Sequence, residues 1–117
     1  MENIEIKQFN RYGLNSSIIG LSKSDNNIRF MLQGDYNWIN SVMISKSIAK
    51  DMIDFLNVLL DGSIEGKRFT INESEHIIIK KSMKDIQMIV SCCGSNVIGF
   101  LTNQHAKTLI NAMEKMI

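Results

Sequence analysis

Two stretches of this chain align with each other at a fixed offset, which constrains the fold more than any single motif. Ile44 to Leu60 contains Ser45, Ile48, Ala49, Lys50, Met52, Ile53, Leu56 and Leu59. Leu101 to Ile117 contains Thr102, His105, Ala106, Lys107, Leu109, Ile110, Met113 and Met116 in the same order. Ala49, Lys50 and Ile53 recur unchanged as Ala106, Lys107 and Ile110. Met52/Leu109, Leu56/Met113, Leu59/Met116 and Leu60/Ile117 are apolar exchanges. Ser45 and Thr102 are both residues whose side-chain oxygen can cap a helix. A self-offset of this kind points to two copies of one supersecondary unit. The repeat divides the chain into 1–62 and 63–117, within one compact domain spanning 1–117.

Each copy of the helical stripe follows segments with a strand period. Ile4 and Ile6 alternate with Glu5 and Lys7, and Ile28, Phe30 and Leu32 alternate with Arg29, Met31 and Gln33. Ser17 to Leu21 and Trp38 to Ile44 complete four strands. The turns fall at Tyr12-Gly13-Leu14-Asn15-Ser16, Ser24-Asp25-Asn26-Asn27 and Gly34-Asp35-Tyr36-Asn37. From Ser45 the period changes to that of an amphipathic helix, and Gly62 sits where a left-handed terminating residue is wanted. The second half repeats the order. Strands are expected at Lys67 to Ile71, His76 to Lys81, Ile86 to Cys92 and Asn96 to Leu101, with Cys93-Gly94-Ser95 joining the last two. Thr102 or Asn103 then caps a helix that runs to Ile117. The fold class expected is α+β: two ββββα units in a pseudo-twofold arrangement, with antiparallel sheets and two packed helices. A single sheet with both helices on one face is the second arrangement the pattern allows. Met52, Ile53, Leu56, Leu59, Leu109, Ile110, Met113 and Met116 are the expected helical core.

Composition narrows the function classes. A net charge of +1 gives no broad field that would favour polyanions. Cys92 and Cys93 are the only cysteines, and neighbours in sequence do not form a disulfide framework. The acidic, alternating start Met1-Glu2-Asn3-Ile4-Glu5 does not read as a signal peptide, and no apolar run reaches the length of a membrane span. A cytoplasmic location with no membrane contact is the expectation. His76 and His105 lack the spacing of a metal site, so no metal and no cofactor is expected. No nucleophile elbow, phosphate loop or dinucleotide fingerprint is present, and Asp51 and Asp54 read as a solvated helix face. An enzyme is not expected.

The strand-then-helix order resembles the Pur repeats, and the same ββββα unit occurs in the Whirly and transcriptional-coactivator families of single-stranded nucleic-acid binders. Val42-Met43-Ile44-Ser45 through Asp61-Gly62 carries the resemblance most closely; Phe69 to Ile117 follows the order more than the letters. The resemblance implies two intertwined units whose sheet surfaces bind single-stranded DNA or RNA through basic and aromatic side chains. The glycine–arginine strand motifs of those families are missing here.

Lys67, Arg68, Lys80, Lys81 and Lys84 cluster along the strands of the second half, and Tyr36 and Trp38 lie near a hairpin turn. These seven are the candidate nucleic-acid-binding residues, because bases stack on exposed rings while lysine and arginine neutralise phosphates. A non-enzymatic single-stranded nucleic-acid-binding regulator is therefore the first expectation. The alternative is a small protein-binding module, such as an inhibitor, immunity or phage-type regulatory protein, that binds no nucleic acid. Met31, Met43 and Met88 would serve such a surface if they faced outward, and apolar sheet faces or open edges would also favour a homodimer. If the five cations share one concave sheet face with Tyr36 or Trp38, nucleic acid is favoured; an apolar or acidic face favours a protein partner.

Overall fold

The computed structural model describes residues 3–9, 16–34 and 38–117, with side chains described from residue 18 onward. The first unit comprises β1 (Asn3–Phe9), β2 (Ser16–Ser24), β3 (Asn27–Gln33), β4 (Ile39–Ser45) and α1 (Lys46–Leu60). The second comprises β5 (Gly66–Thr70), β6 (Glu75–Ser82), β7 (Asp85–Cys92), β8 (Ser95–Leu101) and α2 (Asn103–Glu114). Each set of four strands forms its own antiparallel meander, in the orders β1-β2-β3-β4 and β5-β6-β7-β8. The chain is thus α+β with two sheets, and the single-sheet arrangement is not the one adopted.

Local chemistry explains the element ends. Ser45 Oγ accepts from the Ile48 amide at 3.1 Å, and Thr102 Oγ1 accepts from the His105 amide at 3.1 Å. The two caps occupy equivalent positions, as the alignment requires. α1 ends in a Schellman motif. Gly62, at φ 108°, donates its amide to Leu59 O, and Ser63 donates to Val58 O. The sequence echo fails at its end, because α2 stops at Glu114. Met116 still buries its side chain beyond the helix, but Ile117 is 44% exposed. β2 is also longer than the apolar run Ser17 to Leu21. It reaches Ser24 because the register pairs Ser24 with Asn27, leaving only Asp25 and Asn26 in the turn. The turn expected at Cys93-Gly94-Ser95 is likewise shorter: Cys92 pairs with Ser95, so Cys93 and Gly94 alone make it. The turn expected at Tyr12 to Asn15 lies outside the described residues, as do Asp35, Tyr36 and Asn37 of the next.

The alternation of strand side chains gives each sheet one buried face. Ile28, Phe30 and Leu32 are buried while Arg29 is exposed. In the second sheet Ile77, Ile79, Ile86, Met88 and Val90 are buried. The helical stripe Met52, Ile53, Leu56, Leu59, Leu109, Ile110, Met113 and Met116 is buried as expected, and one apolar cluster joins both sheets and both helices. Burying each large aliphatic side chain contributes about 1.5–3 kcal/mol.

The units interlock. α1 packs on α2 and also reaches β5 and β6 of the other sheet, while α2 reaches β1. Phe55 of α1 meets Phe69 of β5 edge to face, with ring centroids 6.0 Å apart. β4 lies against β7 and β3 against β8. Exchanging the units maps β4–β7 onto β8–β3 and α1–β5 onto α2–β1, the pattern of a pseudo-twofold axis.

The sheets are joined most closely where the end of the β3–β4 hairpin meets β7 and β8. Asn40, buried on the inner face of β4, donates from Nδ2 to Val90 O at 2.8 Å and to Ser95 O at 2.9 Å. Gly34 is required beside it. A Cβ there would lie 2.3 Å from Ile98 O and 2.9 Å from Val97 Cγ1.

Asn40→Leu removes both donors and leaves two carbonyls without them. Urea unfolding should show a loss of about 2–4 kcal/mol, and a loss below about 1 kcal/mol contradicts the bridge. Gly34→Ala should cost about 1–3 kcal/mol by overpacking at a backbone contact that cannot swing aside. At the β7–β8 turn, Cys93 and Gly94 have φ of 54° and 84°. Cys93→Asn supplies the Asn-Gly pair such turns favour and should raise stability by about 0.5–1 kcal/mol in the same assay.

Candidate functional site

Register decides which of the predicted basic residues can act together. Neighbouring residues of a strand point to opposite faces. Lys67 pairs with Ile79 and Arg68 with Ile78, so Lys67 takes the face of Phe69 and Ile77, while Arg68 takes the solvent face. The Lys67 ammonium rests 5.3 Å from the centroid of the Phe69 ring. Lys80 and Lys81 divide in the same way, Lys80 to the outer face and Lys81 to the end of the inner one. Lys81 Nζ turns to Lys84 O at 3.4 Å, and Lys84 occupies the β6–β7 turn. The second sheet therefore brings Arg68 and Lys80 together on its outer face and sends the other three cations elsewhere. Trp38 lies just before β4 and is 63% exposed. Tyr36 lies outside the described residues.

The outer face itself is built as cross-strand rows. One row runs Arg68, Ile78, Ile89, Ile98 across β5 to β8, and the next runs Lys80, Gln87, Phe100. Ile78, Ile89 and Phe100 are half-buried, and Ile98 is 41% exposed. A third row carries His76 beside Ser91 and Asn96; Ser91 Oγ donates to Asn96 Oδ1, and Arg68 Nη2 lies 3.2 Å from His76 Nδ1. Among the described residues, the only carboxylate on this face is Asp85, at its β6–β7 end. The face is an aliphatic row flanked by cations rather than a basic, aromatic platform.

The outer face of the first sheet is also partly apolar. Its rows are Ile18, Gln33, Ile39; Gly20, Met31, Ser41; and Ser22, Arg29, Met43. Met31 and Met43 are half-buried there, whereas Met88 is sealed in the core. Gly20 lets Met31 lie flat on the sheet, because a Cβ at Gly20 would sit 2.7 Å from Met31 Cε. Arg29 is tied down by donating to Ser41 Oγ at 3.2 Å.

Apart from the Cys92–Cys93 pair beside Glu75, the remaining reactive groups singled out from the sequence lie apart. Among the described residues no three His, Cys, Asp or Glu side chains converge in a way that could hold a metal ion. Asp51 and Asp54 are solvent-exposed on α1, and His105 is half-buried beside its cap, Thr102. Cys92 Sγ lies 3.6 Å from Cys93 Sγ and 3.4 Å from Glu75 Oε2. Hydrogen bonding to Cys93, then to Glu75, pushes the Cys92 thiol up to about 11. No helix among the described residues is long and apolar enough to cross a membrane.

Two features were not singled out from sequence. The isoleucine row had a signal: Ile77-Ile78-Ile79 and Ile86 to Val90 depart from strict alternation, as strands do when both faces meet something apolar. The Asn40 bridge had none, because nothing local marks an asparagine that will meet a carbonyl fifty residues away. Alkylation offers a check on the thiols. With iodoacetamide at pH 8, peptide mapping should find Cys93, which is exposed, modified more than tenfold faster than Cys92. A thiol held near 11 is about one part in a thousand thiolate at that pH. No protein-family model matches this chain and no curated protein is significantly similar to it, so these two sheet faces are themselves the basis for a functional reading.

Proposed function

We propose that this chain is a non-enzymatic protein-binding module whose second sheet docks an acidic, apolar surface of a partner. The observation that carries this reading is the row Ile78, Ile89, Ile98 on the outer face of β6, β7 and β8. Scattered exposed aliphatic residues are ordinary on any surface, but a contiguous row crossing three strands is a surface that gains free energy when covered. Arg68 and Lys80 lie in register with this row and its neighbour, which gives the face a positive rim. Two copies pairing through it in parallel rows would set cation against cation. A partner with carboxylates opposite Arg68 and Lys80 complements this rim, whereas a second copy of the face offers, among the described residues, only Asp85 for that purpose.

A second reading, closer to the Pur-type resemblance, is single-stranded nucleic-acid binding. It is favoured by the exposed Trp38 ring together with Arg68 and Lys80. The near-neutral net charge and the dispersal of Lys67, Lys81 and Lys84 weigh against it.

The readings separate in one pair of measurements. The immobilised chain should recover a stoichiometric protein from its native host, and Ile89→Asp should weaken that complex by more than tenfold while the variant stays folded by circular dichroism. Arg68→Glu with Lys80→Glu should slow association and lower its salt sensitivity. Failure to recover a partner, or a complex indifferent to Ile89→Asp, overturns the protein-binding reading. Salt-dependent binding of a labelled oligonucleotide at micromolar protein, lost on Trp38→Ala, would establish the second reading instead.

A further inference from the structure

Cys92 and Cys93 are adjacent in sequence, and in a continuous strand their side chains would point to opposite faces. The turn changes that. Cys93 is the first residue of the two-residue β7–β8 turn and adopts φ 54°, which folds its sulfur to within 3.6 Å of Cys92 Sγ. The neighbouring β5–β6 connection holds the turn in place. Ser74 O accepts the Cys93 amide at 3.1 Å, and Asn72 Nδ2 donates to Glu75 Oε1 at 2.6 Å. Asn72 Oδ1 accepts the Ser74 amide at 2.9 Å, which fixes the loop that carries both contacts. The other Glu75 oxygen, Oε2, then lies 3.4 Å from Cys92 Sγ.

A disulfide is a poor outcome for this pair. Adjacent Cα atoms are about 3.8 Å apart, shorter than the roughly 4.4–6.8 Å that unstrained disulfides span. The geometry points to a preorganised dithiol, and we propose that Cys92 and Cys93 clamp one soft, three-coordinate centre, of the class of monosubstituted trivalent arsenicals. In the reaction with R–As(OH)2, two As–O bonds break and two As–S bonds form. Each thiol proton leaves with a hydroxyl group as water, the organic substituent stays on arsenic, and no electrons change hands. Glu75 is placed to take the Cys92 proton on its way to the departing oxygen. The centre asks for only two sulfur ligands from the protein, and Glu75 stays beside them as the proton acceptor.

The test uses phenylarsine oxide with the full chain, followed by intact-mass measurement and a thiol count. The expected result is one arsenical per chain with both thiols consumed, reversed by a small dithiol and not by a monothiol. Because any Cys-Cys sequence has some affinity for such a probe, the decisive comparison is with the same chain unfolded in urea. The folded chain should bind at least tenfold more tightly. Cys92→Ser and Cys93→Ser, each confirmed folded, should each lose at least tenfold. Equal affinity of folded and unfolded chains overturns the proposal, as does retention by either single variant or conversion of the pair to an intramolecular disulfide in air.

Discussion

Neither sheet in this chain can bury its own inner face with its own helix alone, and that shared need governs the architecture. A four-stranded meander presents an apolar surface wider than one helix covers. Here each helix packs on the other and reaches the opposite sheet, so α1 meets β5 and β6 while α2 meets β1. The contact of Phe55 with Phe69 makes the exchange concrete, one ring belonging to the first unit's helix and the other to the second unit's edge strand. The core is consequently single, and neither ββββα unit is complete without the other.

That dependence places high demands on the seam between the sheets. Two apolar surfaces can slide over one another at little cost, but a buried carboxamide cannot. Asn40 fixes the register of β4 against the β7–β8 hairpin by satisfying two carbonyls at once, and the bare backbone of Gly34 allows the close approach this needs. No buried side-chain polar atom among the described residues lacks a partner, so the polar seam adds specificity without an unmet desolvation cost. Val97 precedes the cap Thr102 by the same five residues as Asn40 precedes the cap Ser45. The axis is therefore only approximate in chemistry: one unit supplies the polar pin, and the other supplies the carbonyls.

Much of this fold was legible because it rests on local periodicity. The strand alternation around Phe30, the helical stripe from Ile48 to Leu60 and the two equivalent caps at Ser45 and Thr102 are all properties of short windows. The site was less legible because it depends on register. Lys67 and Arg68 look like one basic pair in the sequence, as do Lys80 and Lys81, yet the pleat assigns the members of each pair to opposite faces. A one-residue change of pairing would have reversed every assignment. Partition between faces, and not the number of cations, is what separates a nucleic-acid platform from an aliphatic docking face. Turn chemistry misled in a smaller way. With Cys92 ending a strand and Cys93 opening a turn, nothing in the sequence signalled that the positive φ of Cys93 brings the two sulfurs together.

The position of the isoleucine row bears on how such a face is tolerated before it is covered. An apolar edge strand is dangerous because it offers unpaired amides as well as greasy side chains. In the second sheet the row centres on β6 and β7, whose backbone groups are engaged on both sides by β5 and β8. β5, the edge at the Arg68 end, is short and exposes Lys67, Arg68 and Thr70. At the opposite edge, β8 lies close to β3 and β4 of the first sheet. The proposed docking therefore relies on side chains of the central strands rather than on strand addition. Under the proposed reading, a surface arranged in this way would select for shape and charge in what covers it rather than for growth of the sheet.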